Sequence, residues 1–336
     1  MIKLRKGILR KKDESIETLR AVAIILVVAF HIGNDPELDS SRALYDHFSY
    51  FFQNIRLPLF TIISGYLYAC RPIADGKFST FIGGKARRIL VPLIAVSTVE
   101  YLIVSLAPGV NNPANLADIW KIYLFPYEHY WFLQAIFLIF IVVVLLEFTS
   151  VLDKFPGYLI VLLLAFAVSH LYYYYKPPFN LFSFGGFTYL LPYFLVGVGL
   201  KRFSTILASN KAGFISAIIF SLLILLQYML LDTDYASLFA KGQLLGMAVG
   251  LFCGIFLFSW KPALKPLAWL GSYAYTIYLY QSFGAGFARR AFGGLDATSD
   301  HLYFFLVLLV TLLAGVMIEE VVKRMPYIRK VLLGLK

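Results

Sequence analysis

A chain of 336 residues that is 60% hydrophobic and only 15% charged, with a mean hydropathy of +0.75, falls outside the balance of soluble globular domains and reads as an integral membrane protein. Its net charge of +11 gathers in particular connections, which argues against a nucleic-acid footprint. Runs such as AIFLIFIVVVLL and LYFFLVLLVTLLAGVM do not alternate in polarity, so helices rather than barrel strands are the expected spanning elements. The two cysteines, Cys70 and Cys253, have no second cysteine or histidine at ligand spacing, so neither a disulfide framework nor a metal site is expected.

The chain opens on MIKLRKGILRKKDESIETLR, a basic arm over residues 1–17. No small-residue cleavage site follows the first apolar run, which is therefore expected to stay as an anchor. Ten spans are expected, at roughly 18–33, 48–69, 87–107, 130–149, 157–174, 185–200, 212–231, 238–258, 267–287 and 301–322, since about 20 apolar residues cross the hydrocarbon core. They form one transmembrane domain over 18–322, followed by a basic tail over 323–336. The expected fold is all-α and polytopic, with about ten transmembrane helices and both termini cytoplasmic. Charge supports that orientation: the arm, CRPIADGKFSTFIGGKARR, KRFSTILASNK, WKPALKP and KRMPYIRKVLLGLK hold most of the lysines and arginines, while DPELDSS, ADIW, LDTDY and GGLDATSD lean acidic. The tyrosines at 172–175 and at 273, 275, 278 and 280 read mostly as interface belt and packing. No internal repeat or low-complexity tract interrupts the chain.

The first span, LRAVAIILVVAFHIGND, carries Arg20 and His31. Eleven helical residues turn through about 1100°, so the two lie within ~20° of one face and ~16 Å apart along the axis. Glu17 stands one turn before Arg20 on the same stripe. Such a line is costly in lipid and should face protein or water. His31 reads either as a neutral core histidine or as a general base for a hydroxyl, and Arg20 either as a snorkelling anchor or as an anion-binding group. In the second span, QNIRLPLFTIISGYLYACRP, Arg56 is expected at a depth similar to His31. Pro58 and Ser64-Gly65 suggest a bent, closely packed helix beside the first. Lys85, Arg87 and Arg88, in GGKARRILVP, satisfy the positive-inside bias and equally suit a phosphate cradle. In YEHYWFLQAIF, Trp131 is an interface anchor on its own, and Glu128 with His129 suit an outward cavity. Glu100 and Glu147 receive no role. The chain has no nucleotide-binding lysine loop, no GxSxG and no paired metal-binding histidines.

Taken in order, ETLRAVAIILVVAFH, LPLFTIISGYL, KARRILVP, HYWFL, LPYFLVGVGLKR and LGSYAYTIYLYQ resemble the blocks of the membrane-bound acyltransferase family 3 across nearly the whole chain. The resemblance implies O-acetylation: transfer of an acyl group, commonly acetyl from acetyl-CoA, to a hydroxyl of a sugar or other cell-envelope molecule across the bacterial inner membrane. It implies that His31 is the essential histidine, Arg20 the arginine of the first-helix motif, and Glu17 its usual acidic companion. Lys85 to Arg88 falls on the family's R-x-x-R element. A lysine stands first here, keeping charge but losing the bidentate fork, so Arg87 is expected to share the contact. Two further departures are Arg56, where relatives often have histidine before Met-Pro, and Gln281, where the ninth-span motif often ends in histidine.

The resulting expectation has Lys85, Arg87 and Arg88 holding the CoA phosphates, Arg20 steadying the pantetheine arm or thioester, and His31 taking the proton of the acceptor hydroxyl. Arg56, Ser64, His129, Trp131 and Gln281 are the candidate acceptor pocket, with Arg56 or Ser64 as oxyanion donor. Direct transfer and an acyl-histidine route both stay open. Expected partners are acyl-CoA, an envelope polysaccharide or lipid-linked sugar, the bilayer and, in one arrangement, further copies of the chain; no nucleic acid and no metal are expected. Two readings compete: a proton-coupled transporter or exporter of a glycan precursor, for which intramembrane Glu, Arg and His are also suited, and a structural partner in a glycan-assembly complex.

Overall fold

The computed structural model describes residues 13–35, 38, 41–73, 77–106, 115–293 and 300–335. Most of the expected arm lies outside these residues. Within them the chain is helical, with no β-strand. Seven helical segments are long and apolar enough to cross a membrane by length and composition: Glu14–Gly33, Phe78–Leu106, Leu116–Phe148, Phe155–Tyr174, Leu181–Arg202, Asn210–Met229 and Asp300–Val322. This is a multi-pass membrane protein.

Helix α1 (Glu14–Gly33) starts earlier than expected because Asp13 caps it, accepting from the backbone N–H groups of Ser15 and Ile16. The second expected span is two helices, α2 (Arg42–Phe52) and α3 (Arg56–Cys70). The break falls at 53–55, where the Asn54 amide donates to the carbonyl of Phe239 at 2.6 Å. Pro58 sits in the first turn of α3, where a missing N–H costs nothing, so the bend lies before Arg56 rather than at the proline. Helix α4 (Phe78–Leu106) begins well before residue 87 and carries Lys85, Arg87 and Arg88 inside it rather than ahead of it. Helices α5 (Trp131–Phe148), α6 (Phe155–Tyr174), α7 (Phe184–Arg202), α8 (Asn210–Met229) and α9 (Leu244–Trp260) follow the expected order. The ninth expected span is again divided, into α10 (Lys265–Gly271) and α11 (Ala274–Phe292), and α12 (Asp300–Val322) closes the bundle.

Contacts between elements fix which ends lie together. At one end, rich in lysine and arginine, Arg202 bonds Glu147 at 2.7 Å and Asp153 at 3.2 Å, and the Tyr275 hydroxyl donates to the Arg88 carbonyl at 2.7 Å. The residues after α12 fold back here: Leu333 is buried, and Gly334, with φ +62°, passes so close to Arg88 that a Cβ would stand 2.6 Å from its Cα. At the far end Arg289 meets Asp35 at 2.5 Å.

Helix α1 is the centre of the bundle, packed by α3, α10, α11 and α12. The Thr18 hydroxyl and the Leu264 N–H join its first turns to α10 at 3.0 Å, and a Cβ on Gly271 would stand 1.8 Å from the Glu17 carbonyl oxygen. About 67% of its apolar window is buried, against 17% for α8, whose exposed Phe214, Leu222 and Leu225 suit lipid. The most extensive helix pairing is α3 with α7. A Cβ on Gly65 would lie 2.0 Å from the Phe194 carbonyl oxygen, and one on Gly197 2.0 Å from that of Ile62, so the close approach expected from Ser64-Gly65 is present and reciprocal. Gly197→Val is expected to force the pair apart and destabilise the fold by about 3 kcal/mol, at the upper end of usual overpacking costs; thermal unfolding in detergent measures it.

Candidate active site

Because α1 is unbroken from Glu14 to Gly33, Arg20 and His31 occupy one stripe of a buried helix. The Arg20 Nη1 donates to both Glu17 carboxylate oxygens, at 2.9 and 3.1 Å, and Glu17 itself is buried. Glu17 therefore aims the guanidinium. Three cavities follow this stripe. The first, about 530 Å³ at the basic end, is lined by Arg20, Ser64, Arg71, Lys85, Arg87 and Arg88 among others. The Lys85 ammonium rests 3.6 Å from the centre of the Phe140 ring, a cation–π seat, and the buried Arg87 Nε has no hydrogen-bond partner among the described residues. Lys85, Arg87 and Arg88, grouped by their spacing, line this one cavity together with Arg71, which that spacing left out.

The second cavity, about 210 Å³, shares Arg20, Ser64 and Phe140 with the first and is otherwise mostly apolar, reaching Phe132 and Tyr278. The third, about 320 Å³ at the far end, is lined by His31, Glu100, Glu128, His129, Gln281, Ser282 and Arg289. Tyr278 forms the wall between them: it lines the second, and its hydroxyl donates to the carbonyl of His129, which lines the third.

In the third cavity the imidazoles of His31 and His129 face each other edge to face, with centroids 6.1 Å apart. His31 makes no ring hydrogen bond to another described residue, so its nitrogens are available to a ligand. His129 Nδ1 lies 3.3 Å from the Ser282 hydroxyl, while its buried Nε2 has no hydrogen bond of normal geometry among the described residues. Glu100, given no role from sequence, is here. It is buried, lines the cavity and accepts the Tyr130 hydroxyl at 2.5 Å. Glu128 adopts φ +41°, the left-handed region that costs a non-glycine residue energy, in the turn that places His129 and Tyr130. By contrast Glu147 is taken up by Arg202.

The end of α1 is clamped. Asp35, 3% exposed, receives the Arg289 Nε at 2.5 Å and the Tyr303 hydroxyl at 3.2 Å, and Arg289 also reaches the His31 carbonyl at 3.4 Å. Nothing in the sequence spacing signals this pair, since its partners lie on the first and ninth spans.

The five acceptor candidates separate. His129 and Gln281 share the cavity with His31, and the Gln281 amide has no partner among the described residues. Arg56 is buried, its guanidinium 3.3 Å from the ring centre of Phe30, next to His31, with Nη1 unpartnered among the described residues. Trp131 lines a different cavity at the same end. Ser64 stands apart: it borders the first and second cavities and its hydroxyl is bonded to the Phe60 carbonyl at 2.9 Å. No group of three or more His, Cys, Asp or Glu suited to a metal occurs among the described residues.

Compared with known proteins, the chain matches the model of the acyltransferase domain of family 3 over residues 13–320. No curated protein and no solved structure matches it.

Removing the carboxylate under the clamp leaves Arg289 and Tyr303 without their shared acceptor at the end of α1. Asp35→Ala is expected to cost about 2 kcal/mol, the usual worth of hydrogen bonds to a charged group, since Arg289 itself is half-exposed; a lowered thermal midpoint in detergent measures it.

Proposed function

The chain belongs to the acyltransferase 3 family and is an acyltransferase of that general kind, and from this premise we propose that it moves an acetyl group from cytoplasmic acetyl-CoA to a hydroxyl of an envelope glycan at the outer face of a bacterial inner membrane. The observation that carries the reading is the line of three cavities along the Arg20–His31 stripe, basic at one end and containing two histidines and two glutamates at the other. An extended pantetheine arm is of the same order as the ~16 Å between Arg20 and His31.

In this reading the basic end is cytoplasmic. Lys85, Arg87 and Arg88, with Arg71, hold the nucleotide phosphates, for which guanidinium forks are geometrically suited. Arg20, aimed by Glu17, steadies the arm as it enters the middle cavity. The thioester reaches His31 past Tyr278. There the imidazole accepts the proton of the acceptor hydroxyl while its oxygen attacks the thioester carbonyl; the C–S bond breaks, and the CoA thiolate leaves with the proton returned from the imidazolium. Arg56 is the better of the two oxyanion candidates, because it keeps an unpartnered N–H beside the His31 turn while the Ser64 hydroxyl is already bonded within its own helix. Holding both substrates at His31 makes the attack effectively intramolecular, which favours direct transfer over an acyl-histidine. Intersecting double-reciprocal plots are then expected, and parallel lines would indicate the covalent route.

The decisive experiment is acetyl-CoA turnover by protein in nanodiscs, with and without envelope glycans. Wild type is expected to release CoA only with an acceptor, and His31→Ala to lower that release by about 10²- to 10⁴-fold, the usual worth of a general base, with acetyl-CoA binding retained. Full turnover in the variant would overturn the assignment of His31. Absence of any acyl-CoA binding by folded wild type would overturn the acetyl-CoA reading and favour transport.

Neutralising the phosphate cradle separates binding from chemistry. Arg88→Ala is expected to raise KM for acetyl-CoA about tenfold or more with a smaller change in kcat, since the phosphates lie far from the reacting carbonyl.

A further inference from the structure

Beside the His31 cavity, across the segment 126–131, lies a fourth cavity of about 470 Å³. Pro126 and Trp131 face into it, whereas Glu128 and His129 face His31, so one short segment walls both. Its other sides come from the end of α6, the start of α7 and the turn before α9, all at the far end of the bundle.

Three features mark it as a built site. Aromatic rings lie against bare backbone: a Cβ on Gly186 would stand 2.6 Å from the Trp131 ring and one on Gly185 2.9 Å from the Tyr172 ring, while Gly242, at φ +88°, abuts the Tyr173 side chain at its Cβ. Two hydroxyls lining the cavity are more than nine-tenths buried and have no hydrogen bond of normal geometry among the described residues, Ser169 and, beside the equally buried Tyr193, Tyr189. Leaving such groups unpaired costs about 1–3 kcal/mol each, so a ligand that pairs them gains. Finally, Lys176 and Lys241 line the cavity with no carboxylate partner among the described residues. Lys241 lines the cavity, and Arg56, outside its lining, lies buried against the ring of Phe30 next to His31.

We propose that this cavity is a glycan subsite that selects anionic acceptors: a sugar ring stacks on Trp131 or Tyr172, and its carboxylate or phosphate rests on Lys241 with the Tyr189 hydroxyl. The ring faces favour a sugar over a bare phosphate, and the unpaired hydroxyls favour it over a lipid, whose chains need an apolar opening. A chain bound here brings a neighbouring sugar hydroxyl past the segment 126–131 to His31. The proposal rests on the acyl-transfer reading for its purpose, but its test does not.

The test is binding without acyl-CoA, by tryptophan fluorescence and calorimetry, in nanodiscs of neutral lipid. The probes are an oligogalacturonate and its fully methyl-esterified form, which share the same backbone and hydroxyls and differ at the carboxyl, charged in one and a neutral methyl ester in the other. Wild type is expected to bind the acid at least tenfold more tightly than the ester, and Lys241→Met to remove that preference, since a charge-assisted bond is worth about tenfold or more. Tyr189→Phe, which keeps the ring, is expected to weaken binding of the acid several-fold; it decides the matter should Lys241→Met fail to fold. Equal binding of acid and ester, no binding of either, or unchanged binding in both variants would overturn the proposal. So would loss of acid binding when anionic phospholipid is added to the discs, which would assign the site to lipid headgroups. If acid binding follows Lys241 while no acetyl-CoA is turned over, the subsite stands and the acyl-transfer reading falls; His31-dependent turnover with no charge preference gives the converse.

Discussion

A polar line through a hydrocarbon layer must be enclosed, and the packing of this protein follows from that demand on α1. Glu17, Arg20 and His31 on one helix face lipid only at large cost, so α1 sits at the centre while α6 and α8 take the lipid. Each neighbour of α1 supplies what enclosure requires. The backbone of α10 lies against it at Gly271, and α11 reaches Asp35 and the His31 carbonyl through Arg289. Phe30 carries Arg56 from α3 on its ring. The glycines of α3 and α7 then lock the second layer, because two helices whose backbones nearly touch leave no room for lipid or for a different register.

Much of this was legible from hydropathy and spacing. The ten apolar runs each contain a helix, and the shared face of Arg20 and His31 follows from helical geometry alone. The basic cluster at Lys85–Arg88 was readable because cations so close together on one helix must gather at a single membrane surface, where they present a common positive field. The two divided spans were not. Hydropathy sees no break at Gln53–Ile55 or at Ser272-Tyr273, since a break in a membrane helix is paid for by partners far along the chain, as Asn54 is by Phe239. Glu100 was invisible for the same reason: a carboxylate near the end of an apolar run looks like an edge residue until the Tyr130 hydroxyl is seen on it. The Asp35–Arg289 pair joins residues of opposite ends of the sequence, and charge counting assigns each to its own loop. Ser64, attractive beside Gly65, instead bonds its own helix.

The narrowest part of the cavity line is the most constrained by the proposed chemistry. A thioester must pass from one side of a membrane toward the other without opening a path for water or ions. The middle cavity answers with its walls, Phe60, Ile89, Phe132, Ile136 and Phe140, which offer water few partners along most of its length. Its polar lining is confined to Arg20, Ser64, Ser272, Tyr275 and Tyr278, and the Ser64 hydroxyl is already bonded within its own helix. Tyr278 is tied by its hydroxyl to the backbone of His129, so the residue that closes the passage also fixes the segment carrying the second histidine. Seal and site are thus mechanically joined. An arm that displaces the Tyr278 ring must perturb the turn at Glu128–Tyr130, which a left-handed Glu128 already holds in a conformation of elevated energy. In the proposed reaction, a donor that moves the Tyr278 ring would thus be felt at His129 through one ring and one backbone carbonyl.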